Sequence, residues 1–188
     1  MENQSRTYYI LPRERKTPTF REVQVFSQEQ INREWKTRHI NTPVNLVIDR
    51  GYTPFDDNTD FLWHSPEIES ITFFLYDAGK NLLDLEFFDC DHLRYHPDVE
   101  EIMLESGLLT AAQKERVNTM QDHFFWRCTA AIDISDRDIK SLAFRQIFYS
   151  IAQLSDGVLF AVDGDWNMKV SPTLADTFFQ QNPVKKDD

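Results

Sequence analysis

Two β-hairpin patterns constrain the fold of this chain more than any other feature of its sequence. In the first, residues 70–76 and 82–88 are strand-like runs separated by Asp77-Ala78-Gly79-Lys80, where Gly79 can adopt a positive φ. In the second, the strand-like segments 158–162 and 166–170 flank Asp163-Gly164, which is typical of a two-residue turn. Because a hairpin pairs its two strands antiparallel, the sequence predicts a largely antiparallel sheet.

One helical pattern is equally clear, over residues 136–154. Ser135 is the expected N-cap, and Ser155-Asp156-Gly157 is the expected stop. The apolar stripe with a period of 3.6 residues consists of Ile139, Leu142, Ala143, Ile147, Ile151 and Leu154.

The remaining patterns complete an order of β-β-α-β-β-β-α-α-β-α-β-β-α. Further strands are expected at 8–11, 20–25, 44–48 and 124–134, and further helices at 27–38, 98–106, 111–122 and from Ser171-Pro172 onward. This order favours an α+β fold with a largely antiparallel sheet and helices mainly on one face; two fused ferredoxin-like halves are the alternative. We expect one domain over residues 1–188, with frayed ends at 1–6 and 184–188.

The charge of the chain is concentrated rather than uniform. The formal net charge is −11, yet residues 1–40 carry 8 Lys and Arg against 5 Asp and Glu. Residues 49–105 carry 15 Asp and Glu against 3 Lys and Arg. This acidic segment is either a solvated surface or an electronegative face that attracts a basic partner.

Several classes of protein are disfavoured by the sequence. Direct binding to nucleic acid needs a basic surface, and no apolar run approaches the length of a membrane span. The first 26 residues lack a signal-peptide pattern, and the only cysteines are Cys90 and Cys128, so we expect a cytoplasmic protein. The chain contains neither a nucleotide-binding glycine motif nor a nucleophile motif, so no cofactor is expected and a non-enzymatic role is favoured.

A candidate metal site lies between the first hairpin and the next helix. Asp89, Asp91, His92 and His96 are possible ligands for a divalent cation. Pro97 disfavours the α conformation at His96, so the two histidines are not expected to share a helix face. A metal-dependent hydrolase or a metal-binding protein is therefore the alternative function.

Two other clusters of carboxylates have structural explanations. Asp163, Asp165 and Asn167 begin like a calcium loop, but Met168 and Leu174 occupy the positions of its required Gly and Glu, so a turn is expected. Asp133, Asp136 and Asp138 could share a proton or hold magnesium, but helix capping explains the last two.

Arg145 and Gln146 interrupt the apolar helix at 136–154. We expect the Arg145 guanidinium to extend along the helix flank to solvent, or to form an ion pair with a carboxylate if it is buried.

The favoured function is binding of a basic protein partner through an acidic face. One example is an immunity or inhibitor protein, which this chain would be, neutralising a basic toxin. Aromatic side chains give buried anchor area, and the surrounding carboxylates steer association. A homodimer built through exposed Phe and Trp is a further possibility. The predicted partner-binding residues form an acidic, aromatic loop: Phe55, Asp56, Asp57, Asp60, Phe61 and Trp63.

Overall fold

The computed structural model describes residues 5–13, 18–49, 70–89, 97–119, 126–165 and 167–185. The elements in chain order are β1 (Arg6–Leu11), α1 (Phe20–Thr37), β2 (Asn45–Asp49), β3 (Ser70–Asp77), β4 (Lys80–Asp89), α2 (Pro97–Glu105), α3 (Ala111–Thr119), β5 (Trp126–Ala130), α4 (Ile139–Ser155), β6 (Val158–Asp163), β7 (Met168–Leu174) and α5 (Ala175–Gln181). The predicted α+β class is confirmed.

The described strands form one antiparallel sheet in the order β2-β3-β4-β5-β1-β6-β7. β1 lies between β5 and β6, and Tyr8, Tyr9, Ile10 and Leu11 are all buried because both faces of the sheet are covered there. The ferredoxin-like halves are not confirmed, because the strands share a single continuous sheet.

Alternating side chains of the sheet contribute to two separate apolar clusters. On the first face, Tyr8 and Ile10 pack with residues of α1, α4 and α5. On the second face, α2 and α3 contribute Met103 and Val117 to a smaller cluster around Tyr9, whose ring stacks on Phe160 at 4.8 Å between centroids. The expectation of helices mainly on one face is therefore met by α1, α4 and α5.

The strand predicted at 20–25 is wrong, because these residues begin α1. Thr19 and Glu22 form a capping box: the Thr19 hydroxyl accepts from the Glu22 backbone N–H at 3.2 Å, and the Thr19 N–H donates to the Glu22 carboxylate at 2.7 Å. Burial then recurs with a helical period at Phe20, Val23, Ser27, Ile31 and Trp35. The helix therefore begins a full two turns before the Ser27 capping box that the sequence suggested.

The edge of β2 that is outermost in the described sheet is covered by glutamine side chains of α1. Gln28 accepts a hydrogen bond from the Leu46 backbone N–H at 2.7 Å and donates one to the Val44 carbonyl at 3.2 Å. Gln24 donates to the Leu46 carbonyl at 3.0 Å. These amides replace the bonds of a neighbouring strand and so protect an edge that could otherwise pair with another chain.

We expect Gln28→Ala to lower the free energy of unfolding by about 1–2 kcal/mol, because the half-buried Leu46 N–H loses its acceptor. Urea unfolding measures the change. Gln153→Ala, at an exposed position of α4, is the control and should change stability by less than about 0.5 kcal/mol. An equal effect of the two substitutions would show that the glutamine does not cap the edge.

The two predicted hairpins are present, with one correction. Ala78 (φ 46°) and Gly79 (φ 82°) form the turn between β3 and β4. A two-residue turn of type I′ requires a positive φ at both of these positions. The β6–β7 connection is longer than the predicted two-residue turn, because the Asp163 N–H donates to the Asn167 carbonyl at 3.0 Å.

The ends of the last two helices also differ from the sequence prediction. Asp138 rather than Ser135 caps α4, since its carboxylate accepts from the N–H groups of Lys140 and Ser141. The predicted stop of α4 is confirmed: Asp156 is left-handed (φ 49°), and a Cβ at Gly157 would lie 2.8 Å from Ile10 Cγ2.

The helix predicted from Ser171-Pro172 starts later, because both residues belong to β7 and α5 begins at Ala175. β7 is an edge strand of the described sheet, which is where proline is tolerated.

Arg6 and Lys185, close to the two ends of the described residues, are bonded to the rest of the fold. Arg6 pairs with Ala130 of β5 and with Asp163 of β6. The Lys185 N–H donates to the Ser135 carbonyl at 2.8 Å. Fraying is therefore not observed at these two residues.

Candidate functional site

The predicted partner-binding loop and most of the predicted metal site lie outside the described residues. This applies to Phe55, Asp56, Asp57, Asp60, Phe61 and Trp63, and to Asp91, His92 and His96. Asp89 is the last residue of β4. Within the part of the chain that the structure describes, no group of three or more His, Cys, Asp or Glu side chains could hold a metal ion.

The second face of β2, β3 and β4 combines apolar and acidic side chains. Leu46, Phe73 and Leu85 are buried on the first face, so the residues between them point to the opposite side. Val47, Phe74 and Tyr76 on that opposite side are half-buried, and the Phe74 and Tyr76 rings stack with centroids 6.1 Å apart. This part of the sheet therefore presents a partly accessible apolar strip.

Carboxylates border the apolar strip. The strand register aligns Val47, Phe74 and Asp84 in one row across three strands. The next row contains Asp49, Thr72 and Glu86, and all three carboxylates of the two rows are exposed. We call the set Val47, Asp49, Phe74, Tyr76, Asp84 and Glu86 the aromatic–acidic face.

The ends of this face differ in charge from its centre. At the hairpin turn, beyond Tyr76, Lys80 lies opposite Asp77, so the charges of the turn offset each other. Toward β5 the same side of the sheet continues to Arg127, which is half-buried. The negative charge of this face therefore comes from Asp49, Asp84 and Glu86, which lie beside the stacked rings. An arrangement of this kind can bind a cationic surface, because the rings supply area to desolvate and the carboxylates supply attraction.

Part of this face is predictable from the amino-acid sequence. The alternation of Leu83, Leu85 and Phe87 with Asp84 and Glu86 is typical of a strand with one buried and one exposed side. Phe74 and Tyr76 were missed as surface residues, although the four consecutive residues 73–76 are all apolar or aromatic. A strand with apolar residues on both sides, next to a strand with an acidic side, is the signal that could have identified them.

The carboxylate cluster at Asp133 is a structural network. Asp133 accepts from Arg6 at 2.9 Å, from the Ser135 hydroxyl at 2.7 Å and from Lys185 at 3.3 Å. Lys185 also pairs with Asp136, which ties the C-terminal segment to the β5–α4 connection. Burial alone would raise the pKa of Asp133, but the hydrogen bonds from Ser135 and Arg6 outweigh it and hold the pKa well below its usual range.

We expect Asp133→Asn to lower the free energy of unfolding by about 1–2 kcal/mol at pH 7, since it removes charge-assisted hydrogen bonds. A carboxyl whose pKa is lowered in the folded state stabilises the fold at pH values above its ordinary pKa, near 4. This stabilisation is lost as the pH falls below that value. The difference between the two proteins should therefore narrow from about pH 4 toward pH 2. Urea unfolding across this range measures it, with exposed Asp165→Asn as the control; a constant difference would contradict the assigned role.

Asp163 organises the β6–β7 turn. Its carboxylate accepts from the N–H groups of Asp165 and Asn167 at 3.0 and 2.9 Å. The hydrogen bond from Lys169, at 2.8 Å, together with these backbone bonds lowers the pKa of Asp163 to about 2. The turn interpretation agrees with these contacts.

Arg145 is buried within α4 rather than extended along its flank. Its guanidinium donates to the carbonyls of Ile134 and Asn182 at 3.0 and 2.9 Å and lies 5.0 Å from the centroid of the Phe179 ring. No salt bridge to a described carboxylate accompanies these bonds, so the expected ion pair is not observed. Burial lowers the pKa of Arg145, and the charge of Glu34 opposes this. The neighbouring Gln146 donates to Glu34 at 3.2 Å.

Cys128 has the properties of an inert core residue. It is fully buried between β1 and β4, and burial raises the pKa of its thiol to about 12. The thiolate needed for nucleophilic chemistry is therefore suppressed. Cys90 lies outside the described residues.

Comparison with known proteins finds no matching family model, no similar curated protein and no similar solved structure. Among the described helices, none is both long and apolar enough to cross a membrane.

Proposed function

We propose that this protein is a binding module whose aromatic–acidic face docks a basic protein partner. The observation that carries the proposal is the row arrangement on β2, β3 and β4, in which exposed Asp49, Asp84 and Glu86 border the stacked rings of Phe74 and Tyr76. Inhibition of a basic toxin by direct contact is one form that this function takes.

The carboxylates and the aromatic rings have different roles in this proposal. Exposed carboxylates raise the rate of encounter with a cationic surface, and salt screens their effect. Aromatic side chains at the centre of an interface contribute to the lifetime of the complex, because they bury a large area with few rotatable bonds. Phe74 and Tyr76 occupy that central position.

The proposal is tested by affinity capture from the native host. Immobilised wild-type protein is compared with Asp84→Lys/Glu86→Lys, which reverses two charges on the face. We expect a protein with a basic surface to be retained by the wild type at low salt, and to be lost both at high salt and with the variant.

The matched control is Glu29→Lys/Asp176→Lys. Both residues are exposed on the helices that cover the opposite side of the sheet, so the net charge changes equally. The control should retain the partner. If the control and the face variant lose the same proteins, net charge rather than the aromatic–acidic face explains retention, and the proposal is wrong.

A further inference from the structure

A groove opens where β4 and β5 separate. Within the described residues, their pairing joins Phe87–Asp89 to Trp126–Cys128. Beyond Phe87 the two strands diverge and leave a groove of about 410 Å³, lined on one wall by residues 81–85 and on the other by residues 129–132 and Lys140. β4 nevertheless remains paired with β3 along this stretch, so only its β5 side is open.

Main-chain groups of β4 point into this groove. The Leu83 N–H donates to the side chain of Asn81 at 3.2 Å. Successive residues of a strand direct their N–H and C=O groups to alternate edges, so Leu85, like Leu83, directs its groups toward the groove. On the opposite wall Cys128 is the last β5 residue that pairs with β4. By the same alternation, Ala130 directs its main-chain groups to the groove.

The two sides of the groove differ in chemistry. Leu83 and Leu85 belong to the first face of the sheet. Lys140, the second residue of α4, lies on this face too and lines the groove. Asp84 and Glu86 belong to the second face and are exposed. A strand added along β4 would place alternate side chains beside the leucines and beside the carboxylates.

We propose that this groove binds an extended segment of the protein partner, which adds as a β-strand along residues 81–85 and alternates cationic with aliphatic side chains. The main-chain groups that β4 directs toward the groove select an extended backbone. Asp84 and Glu86 select Lys or Arg on one side, and the leucines select aliphatic residues on the other. The charge of the segment rests on the proposed function, since Asp84 and Glu86 belong to both surfaces.

The test uses the full-length protein and a seven-residue synthetic peptide that alternates lysine and valine. One control peptide has the same composition with its lysines and valines in separate blocks. A second keeps the alternating order but carries N-methyl groups on its valines, which removes the donors along one edge. Binding is followed by the amide signals of Leu83, Leu85 and Ala130 in NMR spectra.

We expect the alternating peptide to shift these three amide signals, and N-methylation to weaken its binding about tenfold, as the loss of one or two hydrogen bonds implies. Equal binding of the methylated or the block peptide would overturn strand addition, while leaving attraction to the acidic face intact. No shift at the groove with any peptide would overturn the inference as well, whatever the result of the capture experiment.

Charge is tested separately with Asp84→Asn/Glu86→Gln. We expect this variant to bind the alternating peptide about tenfold more weakly, and still to discriminate against the methylated peptide. Undiminished binding with retained discrimination would support strand addition and contradict the proposed acidic function, so the two proposals can fail independently.

Discussion

Phe148→Ala is expected to lower the free energy of unfolding by about 4 kcal/mol, because it removes the ring that joins three elements of the core. Phe148 is fully buried in α4. Its ring lies 5.4 Å from that of Tyr8 in β1, 5.7 Å from Phe144 and 5.8 Å from Phe178 in α5, measured between centroids. The tightly packed helices around it restrict collapse of the resulting cavity.

Urea unfolding of the purified variant tests this expectation. Domains of ordinary stability have a free energy of unfolding of about 5–15 kcal/mol. A loss of about 4 kcal/mol therefore leaves a domain at the low end of this range partly unfolded at 25 °C. Phe148→Leu is the matched variant and should cost less than about 1.5–2 kcal/mol, because it retains most of the apolar volume. A loss below about 1.5 kcal/mol for Phe148→Ala would show that Phe148 does not join these elements.

Arg145→Ala is expected to lower the free energy of unfolding by about 3 kcal/mol. The substitution leaves the carbonyls of Ile134 and Asn182 without their donor, and it removes the contact with the Phe179 ring. The two carbonyls belong to the β5–α4 connection and to the segment after α5, so the loss should also loosen the C-terminal end.

Denaturant unfolding combined with hydrogen exchange measures both effects. Arg145→Lys should recover only part of the stability, because an ammonium group lacks the planar fork that reaches two separate carbonyls. Exposed Arg33→Ala in α1 is the control and should change stability by less than about 0.5 kcal/mol. A loss for Arg145→Ala as small as that of the control would mean that the buried guanidinium is dispensable.

Elements with strong local signals could be predicted from the sequence. The Ala78-Gly79 turn requires positive φ values that few residues adopt, and the stripe from Ile139 to Leu154 has a period that no strand shares. The sequence prediction started α1 too late, because Phe20, Val23 and Val25 also suit a strand. In the structure the capping box at Thr19 marks the start of the helix. β7 and α5 were misplaced because Pro172 suits both the start of a helix and an edge strand, and only the sheet order decides between them.

The candidate site was predictable in charge but not in geometry. The acidic excess of residues 49–105 is visible by counting, and it includes Asp49, Asp84 and Glu86. Their presence in two adjacent rows depends on the register of β2, β3 and β4, which is set by contacts between distant residues. The groove beside β4 depends on where β5 diverges, and no local pattern in the sequence specifies that point.

The most direct test of the aromatic–acidic face is the association rate constant of the captured partner, measured at low and high salt. Compared with wild type, Asp84→Asn/Glu86→Gln should slow association about tenfold at low salt, with little difference at high salt and little change in the dissociation rate. The opposite-side control Glu29→Gln/Asp176→Asn should associate at the wild-type rate. Equal association rates for all three proteins at low salt would contradict binding of a basic partner by this face.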